Sequence, residues 1–209
     1  MKITSLKKYK GSTFEAELDY ERKIYLHADI IADFGLREDD ELDRERLREI
    51  IRASNFRRAY QRALYLLDYR DYSREEMYRK LLENYKSESL CNAVADKLEN
   101  AGIIDDERYA EKLAVRYVAG RKFGYRRALR EIRMKGIGQN TAVDALEPHS
   151  EEFEENLMQL LETKYARRLT APDDRREIEK AKASLVRYGY GFDEINRCIK
   201  EYFENHLED

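Results

Sequence analysis

The sequence predicts a mostly α-helical protein in which three tandem three-helix repeats form an elongated curved array, preceded by a small antiparallel β meander. Helix breakers are scarce, with 2 Pro and 9 Gly in 209 residues, and strong helix formers dominate. Apolar residues recur at helical spacing through most of the chain. A three-helix pattern also repeats, with Leu81, Ile132 and Leu185 at equivalent positions, which is typical of a tandem array.

The composition favours a folded protein rather than a disordered chain. Charged residues make up 40% of it, the mean hydropathy is -0.85, and the net charge is only -3. Low hydropathy with high charge also occurs in disordered chains, but the helical spacing of the apolar residues favours folded helices. We expect no membrane helix and no secretory signal. Cys91 and Cys198 stand far apart outside any CxxC motif, so we expect reduced thiols in a cytoplasmic protein. We also expect a monomer without a cofactor.

Residues 1–42 are expected to hold the meander and one short helix. Short segments with partial alternation are separated by turn-like stretches such as Lys10-Gly11-Ser12. Asp29 is expected to cap a helix that stops at Gly35, with Leu36 folding back onto it.

Residues 43–104 are expected to form a linking helix and repeat 1. Asp43 is a candidate N-cap for a helix that runs on to Leu67. Ser73 and Glu76 match the Ser-x-x-Glu capping box of the next helix. Ser87 is expected to cap the third helix, which Gly102 ends.

Repeat 2 is expected over residues 105–148 and repeat 3 over residues 149–209. Gly136 and Gly189 fall in the same register and are expected to end the second helix of each repeat. The pattern is looser in repeat 3, where a polar linker, RRLTAPDDRR, interrupts it.

The sequence offers little support for an enzyme. The three His residues have no Ser or Cys motif beside them, and HExxH, GxGxxG and GxxxxGK[ST] are all absent. Acidic residues are abundant, but they interleave with Arg and Lys as on solvated helix faces. We therefore predict neither catalytic nor metal-binding residues.

The acidic stretch after Gly102 is interpreted as a joint between repeats 1 and 2. Gly102 suits a left-handed helix end, and Ile103 is expected to pack back on the helix it leaves. Carboxylates at the start of the next helix cap free N–H groups and suit its dipole. A metal would need more converging oxygens than a helix start presents. The predicted joint residues are Gly102, Asp105, Asp106, Arg108 and Tyr109.

A one-sided basic stretch is the main candidate for binding. Residues 121–135 hold seven Arg or Lys residues against one acid, Glu131. On a helix from Tyr125, the residues Arg126, Arg130 and Arg133 share an exposed side, which suits a phosphate backbone or a row of carboxylates. Phe123 and Tyr125 are candidate stacking groups. The predicted binding residues are Arg121, Lys122, Arg126, Arg127, Arg130, Arg133 and Lys135. The alternative is a solvated helix face.

A second basic cluster, Arg57, Arg58 and Arg62, is a weaker candidate, for which a solvated face is the favoured interpretation. The Tyr residues mostly occupy helical core spacing, as Tyr60, Tyr109 and Tyr117 do. They are expected in the core first and as base-stacking groups second.

Three stretches together resemble the RecX regulatory family. They are SREEMYRKL from Ser73, LENAGIIDDERYA from Leu98 and GYRRALREIRMKGI from Gly124. The meander followed by FGLREDDEL and NFRRAYQRALYLLDYR resembles the longer RecX proteins of Gram-positive bacteria. One departure is Tyr125, which stands where the family often has Pro at the first helical position.

The resemblance implies a fold of three tandem three-helix repeats and a role in homologous recombination and DNA repair. It implies binding to the RecA recombinase filament on single-stranded DNA, with inhibition of strand exchange and of RecA's ATP hydrolysis. Some members of the family also bind DNA directly, so the resemblance implies single-stranded and also double-stranded DNA as further partners. Two alternatives stay open, a nucleic-acid-binding helical repeat independent of RecA and a helical scaffold that binds only proteins, because one Arg stripe serves phosphate or carboxylate equally.

Overall fold

The computed structural model describes residues 1–206 and confirms the mainly helical fold with a three-stranded N-terminal sheet. Within that range the strands are β1 (Ile3–Lys10), β2 (Thr13–Leu18) and β3 (Arg22–His27). Ten α-helices follow: α1 (Ala28–Phe34), α2 (Arg44–Leu67), α3 (Arg74–Tyr85), α4 (Glu88–Asn100), α5 (Asp106–Val115), α6 (Tyr125–Met134), α7 (Gln139–Leu146), α8 (Glu152–Leu160), α9 (Arg175–Tyr188) and α10 (Phe192–His206). None of the described helices combines the length and apolar content needed to cross a membrane.

The chain divides into two compact units. One comprises Met1–Arg70 with Lys80–Val94, and the other comprises Asp71–Arg79 with the chain from Ala95 onward. The core of the first unit lies between one face of the sheet and helices α1 and α2. The second unit has two cores, one built mainly by α5, α6 and α7, the other by α8, α9 and α10. The triplets α5–α7 and α8–α10 thus each bury their own apolar stripes.

The sheet is an antiparallel meander in the order β1-β2-β3. Ala16 and Leu18 of β2 are fully buried, and Leu26 of β3 lies with them in the same core. The expected start of α1 was wrong. His27, not Asp29, is the N-cap, because His27 is still extended and its Nδ1 accepts the backbone N–H of Asp29 at 3.2 Å. The helix ends as predicted, with Gly35 in the left-handed conformation and Leu36 buried.

Helix α2 runs without interruption for 24 residues. Its predicted cap is confirmed, since Asp43 Oδ1 accepts the N–H of Arg46 at 2.7 Å. Ser73 likewise caps α3, its Oγ accepting the N–H of Glu76 at 3.0 Å. Ser73 is fully buried and also donates to the carbonyl oxygen of Lys135 at the end of α6.

In the helix triplets α5–α7 and α8–α10, the first helix continues into a π-helical turn. These turns cover Arg116–Gly120 after α5 and Leu161–Tyr165 after α8. Such turns are rare within α-helices, and the helical spacing of apolar residues did not predict them. Buried Asn156 donates to the carbonyl oxygen of Val118 in the first turn at 3.3 Å, so a polar contact joins the two triplets.

The end of the second helix in one repeat contacts the start of the second helix in the preceding repeat. This contact occurs twice, and a glycine allows it each time. Gly136 and Gly189, which share a register in the sequence, both have positive φ, +83° and +99°. A Cβ on Gly189 would lie 2.5 Å from the backbone N of Arg127 in α6, and one on Gly136 would lie 2.5 Å from Cβ of Glu75 in α3. The same close approach therefore occurs twice.

The joint after α4 differs from the prediction at two residues, Ile103 and Asp106. Gly102 is left-handed with φ +66°, and the N–H of Ile103 reaches the carbonyl oxygen of Leu98 at 2.9 Å. Ile103 was expected to pack back on the helix but is 38% exposed, whereas Ile104 is 2% exposed. The return hydrogen bond turns the chain so that the second isoleucine points inward.

The two aspartates of this joint cap two different helices. Asp105 Oδ1 accepts the N–H of Arg108 at 2.9 Å and caps α5, as predicted. Asp106 Oδ1 instead accepts the N–H of Arg74 at 2.9 Å, at the start of α3. Tyr109, half-buried on the same helix, donates to Glu76 of α3 at 3.4 Å. The acidic stretch therefore ties α5 to the N-terminus of α3, which local sequence cannot show.

Asp106 offers a test of this tie. We expect Asp106→Ala to lower the free energy of unfolding by about 1–2 kcal/mol, because the N–H of Arg74 loses its acceptor. Asp106→Asn keeps an acceptor and should be at least as stable as the parent at neutral pH. Urea unfolding of the two variants measures both effects, and equal losses in Asn and Ala would contradict the proposed hydrogen bond.

The difference in stability between the Asn variant and the parent should depend on pH. Burial raises the pKa of the parent's Asp106 carboxyl above its ordinary value of 3.8. The folded protein then holds this proton more tightly than the unfolded chain. Stability from this group is therefore lost as pH rises from the unfolded pKa through the folded pKa. The advantage of Asn over Asp should grow across that window and disappear below it.

Candidate interaction surface on helix α6

Helix α6 carries four of the seven predicted basic residues, and its start is fixed by the end of α9. The N–H of Gly124 donates to the carbonyl oxygen of Tyr188 at 2.9 Å, and that of Arg126 donates to Gly189 at 3.2 Å. These bonds satisfy N–H groups that a helix start otherwise leaves unpaired. Ala128 and Ile132 are fully buried beneath the helix. Backbone carbonyls of α9 thus hold this boundary, where the family often has Pro.

The seven predicted cations divide into two groups. Four are exposed, namely Arg121, Arg126, Arg130 and Arg133. The other three are half-buried and engaged with the protein's own groups, namely Lys122, Arg127 and Lys135. Spacing alone does not separate the groups, because long basic side chains reach neighbours that are distant in sequence.

Arg127 is the clearest internal member. Its guanidinium lies 3.9 Å from the centre of the Phe123 ring and donates to the carbonyl oxygen of Arg187 at 3.1 Å. Lys135 donates to Glu76 at 3.2 Å, and Lys122 donates to Gln159. These cations hold α6 between its neighbouring helices and are not free to bind a partner.

The exposed cations form a stripe with an apolar floor, here called the α6 stripe and defined as Arg126, Arg130 and Arg133. They surround a shallow depression of about 370 Å³ that Leu129 and Met134 also line. Met134 is 68% exposed. Glu131 is the one acid in the basic stretch, and it lies 3.8 Å from Arg130 and 3.5 Å from Arg127. The stripe therefore keeps a net positive charge around apolar surface.

The two candidate stacking groups differ. Phe123 is half-buried between Tyr117, Tyr188 and Arg127, with ring centroids 5.9 Å and 6.1 Å from the two tyrosines. Tyr125 is 41% exposed, and its ring lies edge-to-face with that of Phe153, with the ring centroids 5.8 Å apart. Only Tyr125 is available for stacking beside the stripe.

The weaker cluster on α2 connects that helix to the sheet. Arg57 lies 3.1 Å from Nε2 of His27 and 2.7 Å from the carboxylate of Asp29. Arg58 donates to the carbonyl oxygen of Tyr25, while Arg62 is exposed over the Tyr65 ring. Two of the three are structural, rather than members of a solvated face as favoured from the sequence.

Groups associated with catalysis or metal binding are dispersed or occupied. Among the described residues no three His, Cys, Asp or Glu side chains cluster as metal ligands would. His149 contacts Glu152 at 2.7 Å and His206 contacts the carbonyl oxygen of Tyr202 at 2.9 Å. Cys91 and Cys198 are free and buried in helices, and burial raises the pKa of the Cys198 thiol to about 11, which disfavours the reactive thiolate.

Comparisons with known proteins identify the family. A family model for RecX, first three-helix domain, matches residues 59–98, which hold the end of α2, all of α3 and most of α4. The Regulatory protein RecX of Stenotrophomonas maltophilia is 32% identical over 140 residues, covering 67% of this chain and 84% of that protein. The Regulatory protein RecX of Bacillus velezensis is 27% identical over 205 residues, covering 95% of this chain and 76% of that protein.

A solved structure agrees in fold. A crystal structure of regulatory protein RecX matches with a TM-score of 0.75 and 24% identity, covering 96% of this chain and 98% of that chain. The match extends over the meander and the helical repeats alike. The resemblance to the RecX family is thus confirmed, and the chain belongs to the RecX family of regulatory proteins.

Proposed function

We propose that this protein regulates homologous recombination by binding the RecA–single-stranded DNA filament and inhibiting its strand exchange and ATP hydrolysis. The single observation that carries the proposal is the α6 stripe, three exposed Arg residues around an apolar floor. We place the contact with the filament there, with exposed Arg121 beside it. The protein acts as a cytoplasmic monomer and by binding, not by chemistry of its own.

The chemistry of the stripe supports such a partner. Arg pairs in a planar, bidentate manner with carboxylates and with phosphates. A filament of protein on DNA presents both, repeated along its length. Leu129 and Met134 add apolar contact at the centre of the stripe, and an apolar centre with a charged rim is the usual arrangement of a protein interface.

The first test is a titration of the protein into a RecA ATPase assay with single-stranded DNA. We expect inhibition at or below equimolar protein. Full ATP hydrolysis at a several-fold excess would contradict the proposal. The same stripe also suits phosphates alone, so direct DNA binding without RecA that is steeply weakened by salt and lost when Arg126, Arg130 and Arg133 are replaced would favour the RecA-independent alternative.

A further inference from the structure

The outward face of the N-terminal sheet carries an aromatic pair among lysines. The opposite face packs on the core of the first unit. In the strand register, Lys7 of β1 pairs with Glu15 of β2, and Glu15 pairs with Tyr25 of β3, so all three lie on the outward face. Lys23 and Tyr9 join them there through their contacts with Glu15 and Tyr25. This group of five residues is here called the sheet patch.

The two tyrosine rings of the sheet patch are exposed and held in place. Tyr9 is 64% and Tyr25 38% exposed, and their ring centroids are 5.0 Å apart. The hydroxyl of Tyr25 donates to Glu15 at 3.0 Å, and Nζ of Lys23 donates to the same carboxylate at 2.8 Å. The bond to Glu15 also raises the pKa of the Tyr25 hydroxyl. The Glu15 carboxylate thus orients both the Tyr25 ring and the Lys23 ammonium group.

The surroundings of the sheet patch are basic, although the whole chain has a net charge of -3. Residues 1–27 hold six Lys or Arg residues against four acids. Exposed Lys8 and Lys10 follow Lys7 at the end of β1. Along β3 a depression of about 240 Å³ lies beside the patch, and its lining includes the exposed residues Arg22 and Lys23. Cations therefore flank the aromatic pair at both edges of the sheet.

We propose that the sheet patch binds single-stranded nucleic acid, with unpaired bases stacking on Tyr9 and Tyr25 and phosphates meeting the flanking cations. Exposed aromatic rings on a sheet, edged by positive charge, suit bases whose faces are free. A duplex would keep its base faces covered. An acidic peptide lacks the unpaired bases that would stack on the two rings, and the Glu15 carboxylate can accept a hydrogen bond from a base amino group.

This site is separate from the α6 stripe and requires no RecA. The test measures fluorescence anisotropy of labelled oligothymidylate and oligouridylate with the full chain alone. We expect one or both to bind, and their difference identifies DNA or RNA as the source of the bases. Replacing Tyr9 and Tyr25 with Ala should weaken binding about ten-fold or more, because each stacked base depends on a ring. Phe at both positions keeps the rings and should keep the affinity.

The chain offers a matched control in Tyr65, near the end of α2, and Tyr69, just after that helix. They are also exposed, at 49% and 71%, with ring centroids 5.0 Å apart. Ala at those two positions should leave binding unchanged. Lys7→Gln with Lys10→Gln should reduce the dependence of log affinity on log salt by about 0.7 for each phosphate that these lysines no longer neutralise.

The α6 stripe is removed in parallel, so that the two sites are distinguished. A variant with Glu at positions 126, 130 and 133 should still bind the oligonucleotide, and adding the Tyr9 and Tyr25 changes to it should abolish that binding. Failure of the parent chain to bind either oligonucleotide would overturn the inference. So would Tyr9→Ala with Tyr25→Ala binding as the parent does, or equal competition by polyglutamate.

Discussion

Replacing Arg126, Arg130 and Arg133 with Glu is expected to raise about ten-fold or more the concentration of protein that halves RecA ATP hydrolysis. Each change removes a cation from the α6 stripe and places a like charge against the carboxylates or phosphates that it is proposed to meet. Like-charge contacts across an interface cost several kcal/mol. The three side chains are exposed, so the helix itself should still form, and an unchanged circular dichroism spectrum would show this.

A matched variant separates this effect from net charge. Arg44, Arg48 and Arg52 lie one turn apart on α2 and are also exposed. Glu at these three positions changes the net charge by the same amount on a different helix. We expect this control to inhibit ATP hydrolysis as the parent does. If both variants lose inhibition equally, general electrostatics rather than the α6 stripe is responsible.

Gly189→Ala is expected to destabilise the protein by about 3 kcal/mol or more. Gly189 has φ +99°, a conformation costly for a side chain. The added Cβ would also lie 2.5 Å from the backbone N of Arg127, so α6 and α9 would have to separate. Overpacking alone costs about 1–3 kcal/mol, and strain adds to it. Urea unfolding followed by circular dichroism measures the loss.

Gly120→Ala is the matched control for this change. Gly120 has no positive φ, and nothing lies within 4 Å of an added Cβ. We expect a change in unfolding free energy within about 0.5 kcal/mol. Equal stability of the Gly189 variant and the parent would show that the end-to-start contact between the second helices is dispensable.

Much of the fold could be predicted because its signals are local. Asp43, Ser73 and Asp105 cap the helices that follow them, since a cap needs only the next few residues. Gly35 and Gly102 end helices in left-handed conformations because few other residues adopt them readily. The meander followed from alternation and turns.

What the sequence did not show depends on partners distant along the chain. Asp106 is an N-terminal acid like its neighbour Asp105, yet it accepts a hydrogen bond from Arg74 on another helix. Arg127 and Arg130 both lie in the basic stretch, but only Arg127 lies over Phe123. Periodicity identifies the buried side of a helix, while the residues that a basic side chain reaches depend on tertiary packing.

This division matters for the binding surface. Of the seven cations predicted to bind, three hold α6 in place, while the α6 stripe and Arg121 remain exposed. Gly124 and Gly189 allow the close contact that positions α6. The internal cations and these glycines therefore present the stripe, and the exposed arginines are proposed to make the contact.

The most direct measurement is a binding isotherm on preformed RecA–single-stranded DNA filaments, with sedimentation separating bound from free protein. We expect the parent and the Arg44, Arg48 and Arg52 control to sediment with the filament, and the α6 stripe variant to remain largely in solution. Binding of the stripe variant with the parent's affinity, while its fold is intact, would contradict the proposal that α6 contacts the filament.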